Sequence, residues 1–508
     1  MPGMSPPVPR TVAVPAAPRV PRLLANTGWN LAGQMVPLLV GIAVLPALIR
    51  LLGLDRYGFL TLVWVLVGYA SIFDFGIGRV LIRVVALRLA RSDAAGAHHV
   101  ARVGLVFLGG FGLVMAAAFA LASSWLVDHA FKLPAGLHDE ALGAMLLLAA
   151  SLPFVMVNTG YTSVLSAHQQ FRGMNIVRAA MGTASYLGPL LVALWVNRLD
   201  ALVAFTLGMR VLACVVHDLL ARRSCGFAFS PVLPDAPTTR ELLTLGGWVS
   251  VSNLVSPLLT YLDRLLLGAL VPVRLVAFYA TPFDLVGRST ILPYALMNAV
   301  FPAVAALESG SDAARQALVR TARLLFVVSL PVAFVFVALA RPGLRIWLGE
   351  EFAREAAPVM QLLAVGVMLN MLAQAPATLI QAAGQPRVMA LLHLAELPVF
   401  VAALYLLTLH FGIVGTAVAA GLRSGVDGLA VLALARRDVA RGPIAWRRAV
   451  LPGCVGALML AAAWWPTGAA EALAVTVVGL LAFGLFAWKH LLHADERQRL
   501  LQLAGAAR

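Results

Sequence analysis

Residues 245–268 read LGGWVSVSNLVSPLLTYLDRLLLG. A bilayer core about 30 Å thick is crossed by roughly 20 apolar residues in a helix, so this stretch has the length and hydropathy of a membrane span. Its one ionic feature is the adjacent pair Asp263-Arg264, which lipid does not tolerate without partners. The same marks recur upstream. Gly247-Trp248 repeats Gly28-Trp29, and Phe278 repeats Phe59 at the same offset. Ala382, Gln385 and Arg387 likewise repeat Ala167, Gln170 and Arg172. An apolar helix with buried charge, repeated in two halves of a chain, is the pattern of a two-lobed transporter.

Composition agrees. Of 508 residues 61% are hydrophobic and 12% charged, with a mean hydropathy of +0.89, which excludes a set of soluble domains. The formal net charge of +15 would suggest a nucleic-acid partner in a soluble protein, but here the positive residues sit mainly between apolar stretches, so no nucleic acid is expected. Lys132 and Lys489 are the only lysines. Arginine suits planar recognition of phosphate or carboxylate, and codon bias accounts for the same preference equally well. Cys214, Cys225 and Cys454 lack the spacing of a zinc site, a redox couple or a disulfide framework, so no metal is expected.

Stretches long and apolar enough to cross a bilayer predict an all-α polytopic membrane protein of about fourteen transmembrane helices. The approximate spans are 27–51, 58–84, 102–127, 141–166, 176–197, 200–221, 244–269, 275–304, 319–340, 356–380, 388–410, 412–435, 448–465 and 470–490. With the N-terminus inside, the outer loops carry few basic residues and the inner segments many, among them Arg88, Arg91, Arg222, Arg223, Arg436 and Arg437, as the positive-inside rule requires. This predicts a multi-pass protein with both termini cytoplasmic. The expected organisation is a disordered cytoplasmic N-terminus at 1–25, a first six-helix lobe at 26–222, a polar cytoplasmic linker at 223–243 and a second lobe at 244–436. Two further helices and a tail fill 437–508. Prolines inside helices one, seven and eight (Pro37, Pro46, Pro257, Pro282, Pro293 and Pro302) remove backbone hydrogen bonds and favour bends, as gating helices need and as membrane helices commonly show.

Six arginines within or near the spans are candidates for binding an anionic cargo: Arg50, Arg79, Arg210, Arg264, Arg288 and Arg423. Arg50, Arg264 and Arg83 lie near helix ends and can snorkel; Arg210, Arg288 and Arg423 lie too deep for that. Asp74, Asp263, Asp284 and Asp427 are the candidate ion-coupling carboxylates, and Glu396 lies in helix eleven. Asp284 with Arg288, and Arg423 with Asp427, are four residues apart and can pair along one helix face. Asn30, Gln34, Asn158, Tyr161, Gln374 and Gln381 offer sugar-binding groups, or ordinary interhelical hydrogen bonds.

The run NTGWNLAGQMVPLLVGIAVLPALIRLLGLDRYGFLTL (26–62), with P-x-L-x-R-x-L-G over Pro46 to Gly53, Tyr57-Gly58 and D-x-G at Asp74 to Gly76, joins the 245–268 stretch and Phe278-Tyr279 in a wider likeness. Together they resemble the Wzx-type polysaccharide flippases of the multidrug, oligosaccharidyl-lipid and polysaccharide exporter superfamily. The resemblance implies two pseudo-symmetric lobes with a MATE-like fold in a bacterial inner membrane. It implies alternating access that moves undecaprenyl-pyrophosphate-linked oligosaccharides to the periplasmic leaflet for exopolysaccharide, capsule or O-antigen assembly. It also implies proton or sodium coupling without a bound cofactor, and polysaccharide polymerase or export machinery as partners beside membrane lipids. Arg50, Asp74, Arg79, Asp263 and Arg264 are the positions that carry it. A drug or cation antiporter of the same superfamily is the alternative; it would favour acids and aromatics over arginines. A membrane-embedded glycosyltransferase would need a sizeable outer loop with a catalytic carboxylate, and the first outer loop is only LLGLDRYG, so no catalytic residue is expected.

Overall fold

The structure is a computed structural model that describes residues 20–70, 76–305, 307–440, 447–466, 468–498 and 502. Residues 1–19, most of the N-terminal tail expected at 1–25, lie outside it, as does Asp74. The described residues form α-helices joined by short turns, and their one strand-like pairing is an isolated bridge between Lys132 and Pro272. A chain this apolar is confined to such elements because lipid offers no partner to a backbone N–H or C=O, whereas a helix satisfies both internally.

The first helices in chain order are α1 (Val20–Ala70), α2 (Ile77–Ala90), α3 (Ala94–Trp125), α4 (His138–Ala167), α5 (Phe171–Trp195), α6 (Leu199–Cys225) and α7 (Ala236–Leu270). They are followed by α8 (Val273–Gly287), α9 (Ile291–Ala305), α10 (Asp312–Leu348), α11 (Glu350–Ala382), α12 (Pro386–Asp438), α13 (Arg447–Trp464) and α14 (Ala469–Phe486). Among the described residues nine helices are long and apolar enough to cross a membrane. Two of them exceed the length of one crossing and are broken inside. Gly53 interrupts α1 at φ 74° and Gly412 interrupts α12 at φ 57°, a left-handed backbone that only glycine adopts at little cost. The breaks fall where the sequence places a turn between successive spans.

Helices α1 to α6 pack among themselves, with α1 on α5, α3 on α4 and α4 on α6. The later helices do likewise, α11 lying between α10 and α12, while α13 and α14 cover α10. The two groups meet where α1 crosses α7 and α8. One end of that crossing is sealed. The Tyr57 hydroxyl lies 3.0 Å from Thr281 Oγ1, Lys132 Nζ donates to the Leu270 carbonyl at 2.6 Å, and Trp347 Nε1 donates to the Ile42 carbonyl at 2.7 Å. Leu48, Phe59, Leu60, Val276, Phe278 and Phe352 are buried in one continuous core there. Arg56 braces the same end through two hydrogen bonds to Glu140, at 2.8 and 3.0 Å, and Glu140 also accepts from the Leu199 N–H at 3.0 Å.

At the other end α7 starts on a built cap. Asp235 accepts from the Thr238 N–H at 3.0 Å, meets His99 Nε2 of α3 at 2.7 Å, and satisfies an otherwise orphaned helix donor. The Thr238 N–H, with His99 next, holds this carboxyl far below the ordinary carboxylate range. A depressed carboxylate stabilises the fold above its unfolded pKa of about 3.9, and loses that contribution progressively as the pH falls from there through its lower folded value. Hydrogen exchange over the first turn of α7 therefore stays equally protected from pH 7 to about pH 5. Asp235→Ala abolishes that protection, and Asp235→Asn, which keeps a capping oxygen, retains it.

Candidate functional site at the crossing of the two helix groups

Asp263-Arg264 sits two turns from the end of α7, where α7 leans on α1, α8 and α12. Both residues are buried, Asp263 at 2% and Arg264 at 4% exposure, so their charges survive only through what surrounds them. Asp263 accepts from the Arg264 backbone N–H at 2.7 Å and from the Tyr279 hydroxyl of α8. The Arg264 guanidinium donates through Nη1 to Asp284 at 2.9 Å, with its Nε 4.0 Å from Asp263. Its central carbon stands 4.2 Å from the Phe283 ring centroid and 5.2 Å from that of Tyr261, within the range of cation–π attraction. Two carboxylates and two rings thus hold one guanidinium whose Nε still lacks a hydrogen-bond partner. Removing one member of such a group leaves an uncompensated buried charge, which costs more than the intact group gains.

The expected pairing of Asp284 with Arg288 does not form. The backbone still places the two residues one α-helical turn apart, the Arg288 N–H bonding to the Asp284 carbonyl where α8 gives way to a 3-10 turn at Arg288–Thr290, but the side chains take other partners. Asp284 pairs with Arg264 instead, and its side chain remains 45% exposed, so this arm of the cluster faces open space. Arg288 is exposed and is the electrostatic neighbour of Tyr186 on α5. Tyr186 and Tyr57 each have Asp284 as another such neighbour. Side chains from both helix groups therefore converge here.

The pairing of Arg423 with Asp427 is replaced in the same way. Arg423 is half-buried, 5.4 Å from the Phe400 ring centroid, and acts electrostatically on Asp263 and Tyr279. Asp427 turns to the other half of α12, where its Oδ1 is 3.6 Å from His393 Nε2. With Glu396 these form a group whose ligand atoms all lie within 4.8 Å of one another. Neither Glu396 oxygen, nor Asp427 Oδ1, has a hydrogen-bond partner. Such a group can share a proton or hold a small cation.

The remaining candidates lie elsewhere. Arg50 and Arg79 are exposed on α1 and α2. Arg210 lines a separate cavity among α4, α5 and α6, together with Asn158. Asn158 Oδ1 is 2.7 Å from His217 Nδ1, which ties the amide to the helix interior. Sequence reasoning passed over Tyr57, Tyr279 and Thr281 as site members, and over His217 and His393. His393 had a readable signal, standing three residues before Glu396 on one helical face.

Comparisons place the chain among known proteins. A family model described as polysaccharide biosynthesis protein matches residues 47–358. A protein of Shigella flexneri named as an O-antigen transporter is 30% identical over 407 residues, covering 80% of this chain and 96% of its own length. The lipopolysaccharide biosynthesis protein WzxC of Escherichia coli K12 is 20% identical over 69% of this chain and 68% of its own. Among solved structures, the lipid II flippase MurJ in an inward closed conformation superposes with a TM-score of 0.70 at 12% identity, over 92% of this chain and 99% of its own. An inward-facing multidrug MATE transporter superposes at 0.65 and 15% identity, over 81% and 94% of the two chains. These likenesses carry the fold: an all-helical membrane bundle of the MATE and MurJ kind.

Proposed function

The chain belongs to the polysaccharide biosynthesis protein family, and from that premise we propose that it is a transporter that flips lipid-linked oligosaccharide repeat units across the membrane for surface polysaccharide assembly. The observation that carries this reading is the match of a curated O-antigen transporter along 96% of its length. The charged crossing between the two helix groups supports it, since a cargo carried between lobes must be gripped where they meet.

In this reading the chain makes fourteen crossings of a bacterial inner membrane, with both termini cytoplasmic and lobes at 26–222 and 244–436. The sealed end, around Tyr57 and Val273, faces the periplasm, and the site opens toward the cytoplasm. Asp284 acts as an internal stand-in for the cargo's anion. It neutralises Arg264 in the empty protein, and a pyrophosphate that arrives on the half-exposed Asp284 side of the pair displaces it, with Arg288 and Arg423 as further cations. Exchange of one anion for another avoids an empty buried guanidinium at every stage. The group of Asp427, Glu396 and His393 is suited to couple a proton or sodium gradient to that exchange. A lipid-linked glycan and membrane lipids are the partners, with polymerase or export machinery downstream.

Deletion of the gene in its host tests this. The expected result is loss of surface polysaccharide with accumulation of the lipid-linked repeat unit, both reversed by the full-length chain. Unchanged polysaccharide together with lost resistance to cationic dyes would replace this reading with the drug or cation antiporter.

A further inference from the structure

The cavity among α4, α5 and α6 does not belong to the crossing site. It has a volume of about 160 Å³ and is lined by Phe154, Asn158, Ser185, Thr206, Met209 and Arg210, with other apolar side chains. Arg210 Nε is buried without a hydrogen-bond partner, and among the described residues no carboxylate lies within salt-bridge distance of its guanidinium. A guanidinium is always charged and has five fixed donors, so it is costly at membrane depth unless an acceptor meets it.

What surrounds it is neutral or positive. The Ser185 and Thr206 hydroxyls donate to the carbonyls of their own helices, at 2.9 and 3.1 Å, and can offer a guanidinium only uncharged lone pairs. The Asn158 carbonyl oxygen is taken up by His217, which leaves its NH₂ as a second donor. His217 Nε2 is itself buried and unpartnered. At the mouth, α5 exposes Ser185 and, two turns earlier on the same face, Arg178, the charged neighbour of His217. Fixed donors and positive charge converge on a space that supplies no negative charge.

We propose that this cavity is a binding site for a lipid phosphate, with Arg210 as the pairing cation, the Asn158 amide as a second donor and Arg178 at the entrance. Guanidinium pairs with phosphate oxygens through parallel, charge-assisted hydrogen bonds. The apolar lining of Phe154, Phe205 and Met209 suits the first carbons of a lipid chain. A cavity of about this volume admits a group the size of benzene, and so has room for a phosphate. The phosphate could come from a bilayer phospholipid or from a prenyl pyrophosphate carrier. The site stands whether or not the crossing between the helix groups carries a glycan.

Native mass spectrometry of the full chain, delipidated in detergent, tests this with three probes: dioleoylphosphatidylglycerol, farnesyl pyrophosphate and phosphate-free dioleoylglycerol. The expected result is an adduct with at least one phosphate probe and none with dioleoylglycerol. Arg210→Gln weakens that adduct by about tenfold or more, the usual effect of losing a charge-assisted hydrogen bond. Dependence on Arg210 for phosphatidylglycerol alone identifies a bilayer lipid, and for the pyrophosphate alone identifies the carrier. Should Arg210→Gln fail to fold, Asn158→Asp keeps the shape and places a carboxylate beside Arg210, and it abolishes the adduct at an unchanged melting temperature. Equal binding of both phosphate probes by wild type and by the folded variant, or no adduct with either phosphate probe, overturns the proposal.

Discussion

Arg264→Ala abolishes polysaccharide export and lowers the melting temperature of the purified protein, the largest single-residue loss expected in this chain. The substitution strands Asp263, only 2% exposed, without its cation, and breaking a buried pair from one side costs about 3–5 kcal/mol. It also removes the ring contacts with Phe283 and Tyr261 and frees Asp284. Arg264→Lys keeps the charge but not the planar fork, so it recovers part of the stability and little of the export. The double substitution Asp263→Asn with Arg264→Gln removes both charges and restores the melting temperature toward wild type, while export stays lost. That divergence separates a transport role from a packing role. If Arg264→Ala exports normally at matched expression, the guanidinium does not grip cargo. Asp284→Asn is the complementary case: it takes away the carboxylate that the buried Arg264 guanidinium hydrogen-bonds, so export changes and the melting temperature falls, by less than in Arg264→Ala because Asp263 remains beside the charge.

The sequence marked Asp263-Arg264 as adjacent opposite charges inside a largely apolar stretch of 24 residues, and its allowance for Arg264 to snorkel fails because the residue is buried. It announced the helices too, since a run of apolar residues of bilayer length admits one secondary structure. It misdirected the pairings. Four-residue spacing permits a contact without choosing it: the Arg288 N–H still bonds to the Asp284 carbonyl across one helical turn, yet the Asp284 carboxylate reaches across to Arg264 of α7. Along α12 the spacing holds, yet His393 on the opposite arm of the helix, beyond the Gly412 break, reaches Asp427 first. That contact depends on how the two arms fold back, which no local pattern encodes. Arg210 was legible as an arginine too deep to snorkel, but which cavity it lines depends on how α4, α5 and α6 pack. Tyr57 reads as part of a turn, and only the packing of α1 against α8 turns it into a partner of Thr281.

Gly58→Val forces the sealed end apart. A Cβ at Gly58 would lie 2.1 Å from the Val273 carbonyl oxygen and 2.9 Å from its carbon, and a backbone carbonyl cannot swing aside as a long side chain can. The only relief is for α1 and α8 to separate, which also breaks the Tyr57–Thr281 contact one residue away. Overpacking of this kind costs about 1–3 kcal/mol, enough to change the ratio of sealed to open protein by about 5- to 150-fold. Transport that depends on opening and resealing that end then fails although Asp263, Arg264 and Asp284 are intact. Thiol labelling measures this. In a chain lacking Cys214, Cys225 and Cys454, Val276→Cys occupies a fully buried position on α8 and reacts slowly with a water-soluble maleimide. Adding Gly58→Val accelerates that reaction at least fivefold and abolishes export. If labelling stays slow while export is lost, the bulk at Gly58 has distorted the sealed end without opening it, and α1 and α8 do not form a gate. If both labelling and export match wild type, the close approach of Gly58 to Val273 plays no part in the transport cycle, and resealing relies on the Arg56–Glu140 brace and the core around Phe278 instead.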